Sequence, residues 1–340
     1  MSIYTLCGIS AAVAFLIGVV LYKIFIPLLR KVKLGQKILE IGPSWHKSKE
    51  GTPNLGGLIF IFAMIVALIV GFVCLKVFFL GDGLLQKGFS ATLIFLLFAL
   101  SQGIIGFVDD YVKLFKKRNK GLSATQKLIL QLLTSAAYLF ANAYFLKADT
   151  AIDTPWGELE LGIFYYVIML LVITYIINCA NLTDGIDGLA GSIAFLTCIM
   201  LLLFGFDHVK STSNIYGEYF TVAVSSLLGA LLAFLVFNFH PAKIFMGDTG
   251  SLFLGGFIVG AVMYTDNEFL LLPVGCIWIL EGLSVVLQVF SFKVFGKRIF
   301  KMSPIHHHFE KCGWSEVKIV AVFSLITVVF SALTYYCLVF

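Results

Sequence analysis

The chain has 340 residues, 60% of them hydrophobic and only 13% charged, with a formal net charge of +5. A water-soluble domain carries roughly twice that charged fraction, so the composition excludes one and points to a polytopic helical membrane protein, in keeping with a mean hydropathy of +0.99. No polar stretch exceeds about 25 residues, too short for a separate soluble core.

Taken in chain order, the apolar runs predict ten spans, at about 3–29, 54–75, 88–108, 127–146, 161–180, 188–205, 219–237, 250–265, 269–292 and 317–339. Runs of ~20 apolar residues suit helices crossing a bilayer. They are continuous rather than alternating, which excludes a β-barrel. The first run lacks a basic leader and a cleavage site, and reads as a retained span rather than a signal peptide. The seven cysteines are scattered without CxxC spacing and read as small buried hydrophobes.

The connecting segments fall into two sets. Eighteen of the 24 Lys and Arg residues lie in 30–53, 109–127, 181–187, 238–249 and 293–316, four lie in the alternate set, and two lie within spans. The positive-inside rule places the first set in the cytoplasm and both termini outside. On the outer side, "AIDTPWGELELG" (151–162) alternates around a Pro-Trp-Gly turn and predicts a small external β-hairpin.

The unusual polar residues all belong to the cytoplasmic set. The first such loop, "GPSWHKSKEGTPNLGG" (42–57), combines His46, Lys47, Lys49, Thr52 and Asn54 with paired glycines, a composition suited to phosphate. The third span closes on Asp109 and Asp110. An Asp at the bilayer centre costs ~3 kcal/mol, so the pair is expected at the interface or in a wet cavity. Neighbours on a helix point about 100° apart, so the two carboxylates are expected to do different jobs. A plain polar helix end, assisted by the following lysines, is the alternative.

In "NLTDGIDGLAG" (181–191), Asn181, Asp184 and Asp187 recur every three residues and would share one face of a helix. The segment lacks the length and terminal Glu of a calcium loop, whereas clustered oxygen ligands beside a membrane suit Mg²⁺. In "NFHPAKIFMGDTGS" (238–251), Asp248 precedes Thr249 and Ser251 at the start of the eighth span. These residues could cap that helix or receive a phosphate on its free N–H groups. Glu281 and Gln288 lie inside the ninth span, and an in-span Glu is either functional or a structural lock. The last loop carries "MSPIHHHFE" with His306, His307 and His308. Consecutive histidines rarely converge on one zinc ion, so a phosphate- or sugar-binding role stands beside an amphipathic interfacial one.

Acidic, histidine and lysine clusters in five loops on one side suggest metal-assisted phosphoryl transfer from a soluble donor to a membrane-held acceptor. A transporter would instead concentrate its ionisable residues at the midplane.

The ordered set "FVDDYVK", "NLTDGIDGLAG", "FNFHPAKIFMGDTGS" and "MSPIHHHFE" closely resembles the phospho-N-acetylmuramoyl-pentapeptide transferase family, within the polyprenyl-phosphate N-acetylhexosamine-1-phosphate transferase superfamily. The resemblance spans about residues 45 to 310. It implies an all-α, ten-span enzyme of the bacterial inner membrane, in a single domain with its active site on the cytoplasmic face. It implies UDP-MurNAc-pentapeptide and undecaprenyl phosphate as substrates, lipid I and UMP as products, Mg²⁺ as cofactor and a homodimer, with no nucleic-acid partner. Carried over by position, Asp109, Asp110, Asp248 and His306 would be catalytic, and Asp248 and Asp184 would hold the metal. Lys49, Thr52, Lys127, Asn181, Asp184, Asp187, Asn238, Phe245, His307 and His308 would bind substrate. One departure is visible: "GTPNLGG" stands where the family's "GTPTMGG" is expected, with Asn54 and Leu55 in place of Thr and Met. The sister enzymes that transfer GlcNAc-1-phosphate are the alternative, and the "MSPIHHHFE" run favours the muramoyl-peptide family.

Overall fold

The computed structural model describes residues 1–31, 49, 51–78, 86–115, 121–154, 156–212 and 216–339. His46, Lys47 and most of the first loop lie outside them, as does 116–120 in the second. The described helices are α1 (Ile3–Lys31), α2 (Gly56–Phe78), α3 (Gln86–Phe115), α4 (Ala124–Ala141), α5 (Ile163–Thr183), α6 (Leu189–Thr212), α7 (Tyr216–Asn238), α8 (Gly247–Met263), α9 (Leu271–Val274), α10 (Cys276–Phe295), α11 (Ile305–Glu310) and α12 (Glu316–Val339). Among the described residues, nine helices are long and apolar enough to cross a membrane, and α8 is a shorter apolar tenth. The predicted all-α polytopic fold is the one observed. Only helices and closed barrels satisfy every backbone polar group inside lipid. The predicted hairpin is present as β1 (Ala151–Thr154) paired antiparallel with β2 (Gly157–Glu160).

Helix α8 is the axis of the bundle. Every residue from Thr249 to Met263 is buried, and its 17 residues give a rise of about 25 Å. Helix α3 packs along it, with α5 and α2 on other sides. Small residues permit this closeness. A Cβ on Gly106 of α3 would collide with the Asp248 carbonyl, and one on Gly57 of α2 would collide with the Gly250 backbone. With no hydrophobic drive between helices in lipid, such close packing supplies the cohesion.

Three predicted boundaries change. Helix α3 does not end before Asp109 but runs to Phe115. Asp109 ion-pairs with Lys113 one turn on, which keeps the acidic pair helical. The predicted span 269–292 is interrupted: α9 stops at Val274, after Pro273, and α10 begins at Cys276 beyond Gly275. Helix α5 ends at Thr183, so Asn181 is helical and the segment from Asp184 to Gly188 is a turn. Asn181, Asp184 and Asp187 therefore do not share a helical face, and they reach different partners.

Candidate functional site

Two helices bring the acidic residues together. Asp109 and Asp110 come from α3 and Asp248 from the first turn of α8, and each offers a carboxylate oxygen within 4.8 Å of the others. Lysines from α3 and α4 stand among them. Lys127 Nζ lies 2.5 Å from Asp248 Oδ2 and 3.2 Å from Asp109 Oδ2. Lys113 Nζ lies 3.1 Å from Asp248 Oδ2 and also pairs with Asp109. Helix α4 delivers Lys127 because its start is fixed: the Ser123 hydroxyl accepts from Gln126 N, and the Gln126 side chain accepts from Ser123 N. This reciprocal capping box satisfies two otherwise orphaned donors.

The two adjacent aspartates have different surroundings. Asp110 is turned into the end of α8. Its Oδ2 accepts from Thr249 N at 2.9 Å and Thr249 Oγ1 at 2.7 Å, and its Oδ1 accepts from Asp248 N at 3.3 Å and from Asn54 Nδ2 at 3.4 Å. It caps a helix remote in sequence, complementing the positive end of that helix's dipole. Asp109 is wholly buried, and its Oδ1 accepts from Leu122 N at 2.7 Å. The carboxylate with the most access is Asp248, at 19% exposure. Its Oδ1 accepts from Asn181 Nδ2 at 3.1 Å, and the same amide donates to Ser251 Oγ at 2.8 Å.

The carboxylates that group with Asp248 are Asp109 and Asp110, where the sequence paired it with Asp184. Asp184 is half-buried at the end of α5. Burial first, then repulsion from Asp248, Asp110 and Asp187, holds its carboxyl well above the usual carboxylate range.

Asp187 belongs to a second knot. Its Oδ1 is 2.7 Å from Lys49 Nζ, and its Oδ2 is 3.1 Å from His240 Nδ1 and accepts from Ala242 N at 2.9 Å. Glu316, at the start of α12, binds the same lysine at 2.6 Å and accepts from Asp187 N at 2.9 Å. Thr52 follows Lys49 in a tight turn, its N donating to Lys49 O at 3.1 Å. Phe245 is half-buried beside this strip; its N donates to Pro53 O at 2.9 Å and its O accepts from Gly56 N at 2.8 Å. Asn238 is buried, with both ends of its amide used: Oδ1 accepts from Gly188 N and Nδ2 donates to Ile244 O.

The three histidines diverge. His306 is fully buried, with Nδ1 3.1 Å from Glu281 Oε1. His307 Nδ1 is 2.6 Å from Glu310 Oε2, and His308 Nδ1 accepts from Lys301 N at 3.1 Å. Neither three-residue group able to hold an ion among the described residues includes them.

Lys113, His240 and Glu316 escaped the sequence reading. Lys113 carried a signal, standing one turn after Asp109. His240 lay inside a quoted motif. Glu316 had none, because it meets Asp187 only through the tertiary fold.

Comparison with known proteins gives a consistent result. The family model described as Glycosyl transferase family 4 matches residues 92–266. The chain is similar to proteins named phospho-N-acetylmuramoyl-pentapeptide-transferase. One from Clostridium perfringens (strain SM101) is 43% identical over 94% of this chain and 93% of the relative. One from Clostridium beijerinckii is 45% identical over 93% and 91%, and one from Bacillus cytotoxicus 41% over 93% and 92%.

Proposed function

The chain belongs to the phospho-N-acetylmuramoyl-pentapeptide transferase family, and we propose that the carboxylate–lysine cluster around Asp248 is where its transfer takes place. The protein is a multi-pass bacterial membrane enzyme of peptidoglycan synthesis. It moves phospho-MurNAc-pentapeptide from its UDP carrier to undecaprenyl phosphate, giving lipid I and UMP. We place the cluster at the cytoplasmic face on the charge bias of the loops. A homodimer is part of the same reading, supported by family resemblance alone.

The observation that carries the assignment is the convergence of Lys113 and Lys127 on Asp109 and Asp248 at one end of the central helix. The donor is a charged nucleotide barred from the bilayer. The acceptor is held in it by a long isoprenoid, each buried CH₂ contributing about 0.8 kcal/mol. Both can meet only at an interface, and among the described residues this cluster gathers three carboxylates and two lysines at one end of the buried bundle.

Asp248 and Asp109 would hold a Mg²⁺. The donor set of the cluster is oxygen only, as a hard cation requires, and Asp110 is already committed to the α8 backbone. Bound there, the ion would neutralise phosphate oxygens during transfer. Lys113 and Lys127, which pair with these carboxylates, would then be able to bind the diphosphate of the donor.

In the step we favour, an oxygen of the lipid phosphate attacks the sugar-linked phosphorus. The bond from that phosphorus to the bridging oxygen of the diphosphate breaks, and this oxygen leaves with the electron pair as part of UMP. A phosphate monoester has a second pKa of about 6 and is mostly a dianion at neutral pH, so it needs little activation. The burial of Asp109 behind two lysines supports a positioning rather than a nucleophilic role for it. Purified enzyme given UDP-MurNAc-pentapeptide, undecaprenyl phosphate and Mg²⁺ should release UMP, and Asp248→Asn or a chelator should abolish release. A phosphorylated enzyme trapped with donor alone would overturn direct attack.

A further inference from the structure

Glu281 lies in a membrane-spanning helix, is wholly buried, and takes no part in the carboxylate cluster. An ionisable group there is costly to keep and calls for a function. Its one carboxylate holds His306 twice, Oε1 at 3.1 Å from Nδ1 and Oε2 at 3.5 Å from the backbone N. The two contacts bind one edge of the ring and its backbone to the same side chain, an arrangement in which Nδ1 donates to Oε1 when it carries the ring proton. The other ring nitrogen, Nε2, is buried with no hydrogen-bond partner among the described residues. It faces Gly185, and a Cβ at that position would run into Nε2. The ring therefore occupies the space of the missing side chain, directly against the turn that carries Asp184 and Asp187. Three residues on, the same turn is held by Asn238 on Gly188 N.

We infer that Glu281 is a positioning residue for donor binding: it fixes the His306 ring against Gly185 and so sets the backbone between Asp184 and Asp187. This rests on the reading of that turn as part of the donor site. His306, with no exposed surface, acts through the same contact rather than on substrate. Glycine at 185 is explained by the approach of the ring, and the in-span glutamate by the need to orient it. The unpaired Nε2 follows from a ring whose task is to bear on a backbone.

The test separates positioning from simple stabilisation. UMP release by the detergent-solubilised full chain is measured while UDP-MurNAc-pentapeptide and undecaprenyl phosphate are varied separately. Glu281→Ala and Gly185→Ala should each raise the donor KM by about tenfold with the acceptor KM unchanged, and the double variant should lose no more than either alone, since residues in contact are not additive. Glu281→Gln, which keeps an acceptor, should restore most of the donor affinity. With only six histidines in the chain, selective ¹⁵N labelling, assigned with His306→Ala, should show His306 protonated at Nδ1 in the wild type and disturbed in Glu281→Gln. Equal changes in both KM values, additive losses, or a His306 proton on Nε2 alone would overturn the inference. Should Glu281→Ala not fold, Glu281→Gln and the ¹⁵N spectrum decide it. A wild-type enzyme that turns over no UDP-sugar would instead overturn the reading of the donor site, while the spectrum still reports on Glu281.

Discussion

Lys127 Nζ stands 2.5 Å from Asp248 Oδ2, joining the first turn of α4 to the first turn of the central helix. The pair is partly buried, and the lysine occupies the side of the carboxylate that a cation would need. Metal and lysine thus have opposite preferences at one oxygen, which leads to separable effects. Lys127→Met should leave Mg²⁺-dependent thermal stabilisation intact or stronger. It should lower kcat/KM for the donor by about 10- to 100-fold, the worth of one charge-assisted hydrogen bond of about 1.5–3 kcal/mol. Asp248→Asn should abolish both the stabilisation and UMP release. Melting curves with Mg²⁺ or chelator, run beside rate measurements, check the pair.

Asp110 reaches the chemistry through Thr249. The Thr249 hydroxyl and amide both donate to its Oδ2, and that contact fixes the turn from which Asp248 projects. Thr249→Val removes one donor from a buried carboxylate and should cost about 1.5–3 kcal/mol of stability. Thr249→Ser keeps the hydroxyl and should stay close to wild type. A Thr249→Val enzyme with unchanged melting temperature and full activity would remove Asp110 from the positioning of Asp248.

Nine of the ten predicted spans are long apolar helices among the described residues, legible because hydropathy is a local property that adds along the chain. The centrality of α8 was not legible: its apolar residues look like those of any span, and only glycines, Gly255, Gly256 and Gly260 on α8 itself and Gly57 and Gly106 on its neighbours, hint at close approach. Asp109 and Asp110 were visible as an anomaly, but their division of labour depends on which helix each one meets. The three-residue spacing of Asn181, Asp184 and Asp187 misled, since α5 stops at Thr183: Asn181 reaches Asp248 from the helix, while the turn beyond it carries Asp187 to Lys49. The Ser123–Gln126 capping box could have been read directly, and with it the placement of Lys127 in the first turn of α4.

Glu316 shares Lys49 with Asp187 at the start of α12. Glu316→Gln should leave Lys49 on Asp187 alone and loosen the turn whose Asp187 N it holds. The expected outcome is a donor KM raised several-fold with an unaltered acceptor KM. Lys49 keeps its pair with Asp187, but Glu316→Ala also strips the buried Asp187 N of its acceptor and should destabilise by about 1–3 kcal/mol. Rate measurements with each substrate varied, and denaturant melts, distinguish the two variants.

Asp184 gives the protein a pH dependence of definite sign. Its carboxyl is held well above the usual range by burial and by Asp248, Asp110 and Asp187. The folded chain therefore binds this proton more tightly than the unfolded chain, and stability must fall as pH rises from the ordinary carboxylate value through the raised one. Asp184→Asn removes the ionisation while keeping the shape. In chelator, the variant should melt above wild type at about pH 8 and match it at about pH 4, where an ordinary aspartate is half protonated. Mg²⁺ should narrow the gap at high pH, because a dication among Asp109, Asp110 and Asp248 offsets the repulsion that raises Asp184. Parallel melting curves across the whole pH range would refute this electrostatic account.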